Sequence, residues 1–318
     1  MLEDSRWMKP DPCDTVILMA TYNGEKFLRE QIDSILQQTC SDWTLVISDD
    51  GSNDGTPSII AEYAARYPGR IVQHHSGRHF GNARDHFLYL MKAFPKDYVL
   101  FCDQDDSWYP EKVGKLLEAL RSEEQKCGPD MPILVFSDQV PVDARKKPLG
   151  SSLMSYQKQY TDAFDYRSII MQNVVTGGSM AINHSLARLA EACLDESGTI
   201  MHDWWLAIVA ARFGKIIYID EPLGIYRQHG NNVTGAKNVG SLAYVLDRLF
   251  NIKNARAAIL RKKAQAAVFR ESYQDQLSGE DIRFLEEFEK ETSGLVFYWR
   301  YRRLIHTLSR KIGMALLG

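Results

Sequence analysis

The chain has 318 residues, 45% hydrophobic, 11% aromatic and 25% charged, and its 41 acidic and 38 basic side chains leave a formal net charge of -3. Such proportions belong to a globular protein with a sizeable core and exclude a disordered chain, a collagen or a coiled coil. Length allows one large domain or two ordinary ones, and the near-neutral balance gives no whole-protein argument for nucleic acid. The five cysteines (Cys13, Cys40, Cys102, Cys127, Cys193) are scattered and form no C-x-x-C pair. That pattern argues for a reducing compartment and against a disulfide framework or a zinc site. Met1 to Pro12 is acidic and polar, unlike a secretory signal. No apolar run approaches the roughly 18 residues of a spanning helix, so the expectation is a cytosolic protein.

Thr15 to Ala20 is a short apolar run of strand formers. After Gly24, the residues Phe27, Leu28, Ile32, Ile35 and Leu36 recur at helical spacing. Trp43 to Ser48 predicts a second strand, ended by Asp49-Asp50-Gly51-Ser52. Thr56-Pro57 opens a helix with a cap and a first-turn proline. Arg70 to Val72 predicts a third strand and Ala83 to Phe94 a helix. Tyr98 to Cys102 is a fourth strand, then a helix opened by Pro110, and Ile133 to Phe136 a fifth strand. This alternation predicts β-α-β units and a mostly parallel sheet, with chemistry beyond the carboxyl ends of the strands. Those ends carry Thr21-Tyr22-Asn23, Asp49-Asp50 and Asp103-Gln104-Asp105-Asp106.

The last group is the strongest signal. Its three carboxylates repel one another and need a cation or hydrogen-bond donors. A D-x-D element at a strand end suits magnesium or manganese, which take hard oxygen ligands and keep positions open for a diphosphate. The competing role, a helix cap before Pro110, needs only one aspartate. Asp49 to Gly55 has the composition of a turn; a carboxylate fixed there can also accept the N3-H of uracil or thymine. Tyr22 is either a rim aromatic or a platform for a flat base. Gly177-Gly178 is either a bulge or turn, or a place where the backbone comes close to a sugar.

His202-Asp203-Trp204-Trp205 precedes a predicted helix, Trp204 to Arg212. Asp203 is first a candidate N-cap, and the tryptophans candidate core. A carboxylate beside large aromatics is also partly desolvated, which raises its pKa and makes it a better base toward a hydroxyl. A short strand, Glu221 to Ile225, then runs into Tyr226-Arg227-Gln228-His229-Gly230-Asn231-Asn232. Arg227 suits a phosphate, and His229 a metal or an exposed titrating position. There is no G-x-G-x-x-G or Walker loop.

Met19 to Gly24, Ile47 to Ser52, Phe101 to Trp108, Met201 to Trp205 and Tyr226 to Asn232, taken together, resemble glycosyltransferase family two, in particular its bacterial rhamnosyltransferase-like branch of surface polysaccharide biosynthesis. Order and spacing agree from about Val16 to Gly235. The resemblance implies an α/β GT-A fold, a nucleotide-sugar donor, Mg2+ or Mn2+, and inversion at the anomeric carbon. Position by position, it implies that Tyr22 stacks on the base and Asp50 binds its N3-H. Arg84 and Gln104 fall among the nucleotide-sugar contacts, Asp103 faces ribose or sugar, and Asp105 binds metal, to which the residue reading adds His229 as a second candidate ligand. Asp203 stands where the family has its base, with His202 in place of the usual glutamate. Trp204, Arg227 and Gly178 would contact acceptor or diphosphate. Asp106 extends the usual motif, which leaves open which carboxylates touch the ion. The Q-x-x-R-W motif is absent, which argues against a processive synthase.

The reaction so implied moves L-rhamnose from dTDP-L-rhamnose to a hydroxyl of a growing, lipid-linked glycan. A transferase of another UDP- or dTDP-sugar is the near alternative. A nucleotidyltransferase would carry a Gly-rich basic loop after the first strand, where Thr21 to Lys26 has one glycine. A non-catalytic sugar-binding protein would have little reason to keep mutually repelling carboxylates.

Charge divides the chain. Residues 240–318 hold 14 Lys/Arg and 9 Asp/Glu, a balance of +5, so the first 239 hold 24 and 32, a balance of -8. This predicts a catalytic domain over 1–239, with a nucleotide half at about 14–138 and an acceptor half at about 139–239, and a basic helical region over 240–318. Gly294 to Lys311 has five Arg/Lys, no acid and clustered aromatics. It predicts either a helix docked on the protein or one lying on an anionic membrane surface, which would hold the enzyme at the cytoplasmic face of the inner membrane.

Overall fold

The computed structural model describes residues 14–159, 164–193, 195–230, 252–291, 294–301 and 304. Asn231 and Asn232, the expected boundary near residue 240 and residues 305–318 lie outside the described residues.

Four parallel strands form first: β1 (Thr15–Thr21), β2 (Thr44–Asp49), β3 (Ile71–His74) and β4 (Tyr98–Cys102), ordered β3-β2-β1-β4. Helices α1 (Glu25–Leu36), α2 (Thr56–Arg66) and α3 (Ala83–Ala93) make the crossovers. The third strand runs two residues past the expected end. The second half is mixed rather than parallel. A two-residue strand β5 (Ser107–Trp108) precedes α4 (Lys112–Cys127), and β6 (Ile133–Asp143) has eleven residues where the sequence suggested four. Short helices α5 (Leu153–Tyr156) and α6 (Tyr166–Met171) lead to a 3-10 turn at Gly177–Ser179. Strand β7 (Met180–Asn183) is antiparallel to both β4 and β6. After α7 (His184–Ala190) and α8 (His202–Phe213), β8 (Lys215–Gln228) pairs parallel with β6 along nearly its whole length. That partner, 82 residues away at the first pair Ile133 and Lys215, is why β6 outruns its apolar stretch.

Alternation along the strands feeds two cores. Ile17, Met19, Leu45 and Ile47 bury against Leu28 and Ile32 of α1, Ile60 of α2 and Leu116 of α4. Val16, Leu18 and Val46 face the other way, toward Phe87 of α3 and Trp205 of α8. Each such aliphatic side chain, fully buried, contributes about 1.5–3 kcal/mol.

The C-terminal helices α9 (Ile252–Ser272), α10 (Gly279–Lys290) and α11 (Gly294–Tyr301) complete this second core. Phe269, Tyr273, Phe288 and Tyr301 are buried in the same cluster as Trp205. Asp281 accepts from Tyr166 Oη at 2.6 Å and from Arg212 Nη2 at 2.6 Å, which holds α10 to α6 and α8. Tyr301 packs against Phe284 and Phe288, with ring centres 6.0 and 5.5 Å away, whereas Trp299 is 59% exposed. Through Tyr301, the start of the basic aromatic segment is thus anchored to the protein. Among the described residues, no helix is long and apolar enough to cross a membrane. Cys40, Cys102, Cys127 and Cys193 are free thiols.

Candidate active site

The ends of β1, β2 and β4 gather the polar turns as their order requires. Tyr22, just past β1, is half exposed. The Gln104 side chain straddles it: Oε1 accepts from Tyr22 N at 3.0 Å and Nε2 donates to Tyr22 O at 2.9 Å. Gln104 therefore braces Tyr22 through its backbone. Gly24 leaves room for this, since a Cβ there would lie 2.2 Å from Gln104 Oε1. Asp50 is buried, and its two oxygens accept from Phe80 N (2.6 Å) and Gly81 N (2.8 Å). A base would have to share the carboxylate with these amides. Asp49 closes the turn itself, accepting from Ser52 Oγ at 2.6 Å and Thr21 Oγ1 at 2.9 Å.

The acidic turn after β4 splits into three roles. Asp106 is 1% exposed; it accepts from Arg227 N at 3.1 Å and Gln139 Nε2 at 3.2 Å. Burial first, then the charges of Asp105 and Asp103, drives its pKa well above the usual carboxylate value. It is an anchor for β8 and β6. Asp103 is pushed up to about 7, chiefly by burial and then by Asp105 and Asp203. Asp105 meets His229 from the end of β8, with Nε2 2.6 Å from Oδ2.

Arg227 is the clearest correction. It does not present an open guanidinium to a phosphate: it is 2% exposed, donates from Nη2 to Glu30 Oε1 at 2.6 Å and from Nε to the Asp105 carbonyl at 2.9 Å. The ring of Phe27 lies 4.8 Å from the guanidinium and 4.9 Å from the His229 ring. Phe27, read from its spacing as a helix core residue, thus supports the site from below. Arg227 fixes the main chain that carries Asp105, while His229 touches its carboxylate.

The two glycines sit between both halves of the site. Gly177 N donates to Asp203 Oδ2 at 3.1 Å, and the neighbouring Gly178 amide faces Asp103 and lowers its pKa. A Cβ on Gly178 would lie 2.7 Å from Asp103 Oδ2 and 3.0 Å from Asp106 Oδ2. Close approach is therefore the reason for glycine, but the neighbours are carboxylates of the protein itself. The Gly178 carbonyl accepts from Lys112 Nζ at 2.6 Å. Lys112 is fully buried, which lowers its pKa to about 8. It was not singled out from the sequence, yet it shares a buried stripe with Leu116 and Leu120 at i, i+4 spacing; a charge on such a stripe was the available sign.

Asp203 is not the helix cap. Met201 occupies that position, and Asp203 lies in the first turn of α8, accepting also from Trp204 N at 2.6 Å. Burial pushes its pKa up to about 7. His202 does not supply a second charged group: it is 3% exposed, wedged 4.3 Å from the Phe87 ring and 5.2 Å from Phe101, and burial lowers its pKa to about 3. Among the described residues neither of its ring nitrogens has a hydrogen-bond partner. Trp204 turns its indole N-H to Ile169 O at 2.6 Å, tying α8 to α6 rather than offering that donor to an acceptor or diphosphate. Arg84 is likewise engaged within the protein, with Asp85 Oδ1 at 2.7 Å and the carbonyl of Thr199 at 2.7 Å. These partners take up its charge instead of leaving it for a nucleotide.

Among the described residues no group of three or more His, Cys, Asp or Glu side chains is arranged to hold a metal. The pair Asp105 and His229 nonetheless fits a divalent ion that completes its shell with substrate oxygens: a hard carboxylate oxygen and an imidazole nitrogen already converge.

A family model described as glycosyl transferase family 2 matches residues 16–171. The dTDP-rhamnosyl transferase RfbG of Shigella flexneri is 31% identical over 259 residues, covering 77% of this chain and 80% of that protein. The structure of S. aureus TarS 1-349 in complex with UDP-GlcNAc covers 95% of this chain and 89% of its own, at 14% identity and a TM-score of 0.53. The mannosyltransferase PcManGT from Pyrobaculum calidifontis, in complex with GDP-Man and Mn2+, covers 96% and 84% at 14% identity with a TM-score of 0.53. At such identity the two structures bear on the fold, and they match the GT-A arrangement of strands and helices. By its sequence the chain belongs to glycosyltransferase family 2.

Proposed function

We propose that the protein is an inverting, divalent-metal-dependent rhamnosyltransferase that moves L-rhamnose from dTDP-L-rhamnose to a hydroxyl of a growing, lipid-linked surface glycan. The observation that carries the reaction type is Asp203, a carboxylate raised to about 7 and held by the Gly177 amide, beside the Gly178 that lies against Asp103 of the acidic turn. The donor identity rests on the similarity to RfbG.

In this reading Tyr22, braced by Gln104, offers its ring to the thymine, and Asp50 receives the base N3-H. Asp105 and His229 hold the ion, which when bound neutralises charge on the departing diphosphate. Asp103 meets ribose or sugar. An acceptor hydroxyl is a weak nucleophile at neutral pH. Asp203 takes its proton as the oxygen bonds to the anomeric carbon on the face opposite the breaking bond to dTDP. A pKa near 7 leaves about half of Asp203 ionised at neutral pH and makes the ionised form basic enough to accept that proton. Five Arg/Lys between residues 294 and 311 support residence at the cytoplasmic face of an anionic membrane, where a lipid-linked acceptor is met.

The test is turnover of purified protein with Mn2+, a lipid-linked glycan acceptor and a panel of dTDP- and UDP-sugars, followed by mass spectrometry. Addition of one deoxyhexose from dTDP-L-rhamnose is expected. Transfer only from a UDP-sugar would replace the donor assignment, and binding of dTDP with no transfer from any donor would remove the catalytic one.

A further inference from the structure

Lys112 is a buried charge that the reaction just described leaves unused. It begins α4 and is fully buried, on the same stripe as Leu116 and Leu120. A lysine there has given up its hydration, so its surroundings must hold the ammonium. Nζ donates to Gly178 O at 2.6 Å and lies 4.2 Å from the centre of the Trp108 ring. The charges of Asp106 and Asp103 face it from the neighbouring turn.

The carbonyl it holds belongs to the turn whose amides serve both halves of the site. Gly177 N-H points to Asp203 and Gly178 N-H to Asp103. The turn also has little freedom to slide: a Cβ on Gly177 would lie 2.9 Å from His202 Nε2, and one on Gly178 2.7 Å from Asp103 Oδ2. With the Gly177 amide bonded to Asp203 and the Gly178 amide turned toward Asp103 on one side, the Gly178 carbonyl needs a donor from the other.

We propose that Lys112 is a positioning residue for transfer, whose ammonium fixes the Gly177–Gly178 turn and through its two amides sets the separation between the donor-side carboxylate Asp103 and the base Asp203. The inference rests on Asp203 being the base. It gives Lys112 a function in turnover, since burying an unneeded ammonium among apolar side chains works against stability.

Lys112→Met keeps length and bulk and removes the donor and the charge. With Mn2+ and the donor and acceptor above, kcat should fall about 10- to 100-fold, the scale of a misplaced catalytic group. Calorimetric affinity for dTDP with Mn2+ should fall by clearly less than kcat, because Tyr22 and Asp50 do not move. The rising acid limb of kcat should shift upward by about half a pH unit as the Gly177 amide loosens from Asp203. The charge of Asp203 reaches Asp103 and Tyr226, and both remain in the variant. Exchange of amides 177–180 should quicken by about tenfold or more. An unchanged kcat, or a loss of kcat matched by an equal loss of dTDP affinity, overturns the proposal. Where Lys112→Met does not accumulate as folded protein, Lys112→Gln is judged by the same two criteria. Asp203→Asn is assayed alongside: if it abolishes transfer while Lys112→Met does not, this inference alone fails. If Asp203→Asn transfers at the native rate, the base assignment falls and the inference with it.

Discussion

His229 Nε2 lies 2.6 Å from Asp105 Oδ2 across 124 residues of chain. The contact joins the carboxyl end of β4 to the carboxyl end of β8, two strands that do not pair with each other. Arg227 makes it reproducible, because its guanidinium holds the Asp105 carbonyl at 2.9 Å from two residues upstream of His229. Removing His229 should therefore weaken the ion without disturbing the fold.

Chelation by EDTA is expected to abolish transfer, and Mn2+ or Mg2+ to restore it. His229→Ala should raise the Mn2+ concentration for half-maximal activity by about 10- to 100-fold, measured by titrating metal into the stripped protein. Full activity in chelator would remove the metal role of both residues.

The pH dependence of kcat should follow Asp203. Its pKa is raised to about 7, so the ionised, proton-accepting form grows as pH rises through that value. Transfer should increase about tenfold between pH 6 and 8. Asp203→Asn should lower kcat by about 100-fold or more while dTDP still binds. A native rate in Asp203→Asn would leave that residue only its bonds to Gly177 and Trp204.

His202 makes a prediction about stability. The imidazole ionises near 3 in the fold and near 6.5 in the unfolded chain. Below 6.5 the unfolded chain takes a proton that the fold refuses, so stability is complete above 6.5 and is lost as pH falls toward 3. Linkage puts the loss at about 2 kcal/mol by pH 5. His202→Leu should lack this component. Urea unfolding of both proteins at pH 7 and pH 5 measures the difference, and equal pH dependence would refute it.

The membrane reading can be tested without damaging the core. Tyr301 is buried against Phe284 and Phe288, and Leu304 packs on the same cluster, so a truncation should begin after Leu304. Removing residues 305–318 deletes two of the five basic residues of the 294–311 segment. Flotation with anionic liposomes at low salt should weaken by up to about 30-fold, each of the two basic residues contributing up to about 1 kcal/mol. Failure of the intact chain to float would confine the segment to packing.

Sequence alone determined the strand ends and which polar residues they carry. Apolar runs broken by acidic turns were enough to locate β1, β2 and β4, to group Tyr22, Asp50 and the Asp103–Asp106 turn, and to mark Asp203 and His229, because these are local patterns with periods of two or 3.6 residues. The motif order also carried the family. What a charged side chain meets was decided only by tertiary structure. Arg227 and Arg84 read as open cations, yet Glu30, 197 residues from Arg227, and the Thr199 carbonyl, 115 from Arg84, take them up. Asp106 looked like its neighbours and is an anchor, since Gln139 and Arg227 reach it from strands far along the chain. Lys112 was silent because a lysine on a helix usually faces water, and only the packing of α4 against the Gly178 turn puts this one inside. Burial and long-range partners set charge, and neither is written in a residue's own neighbourhood.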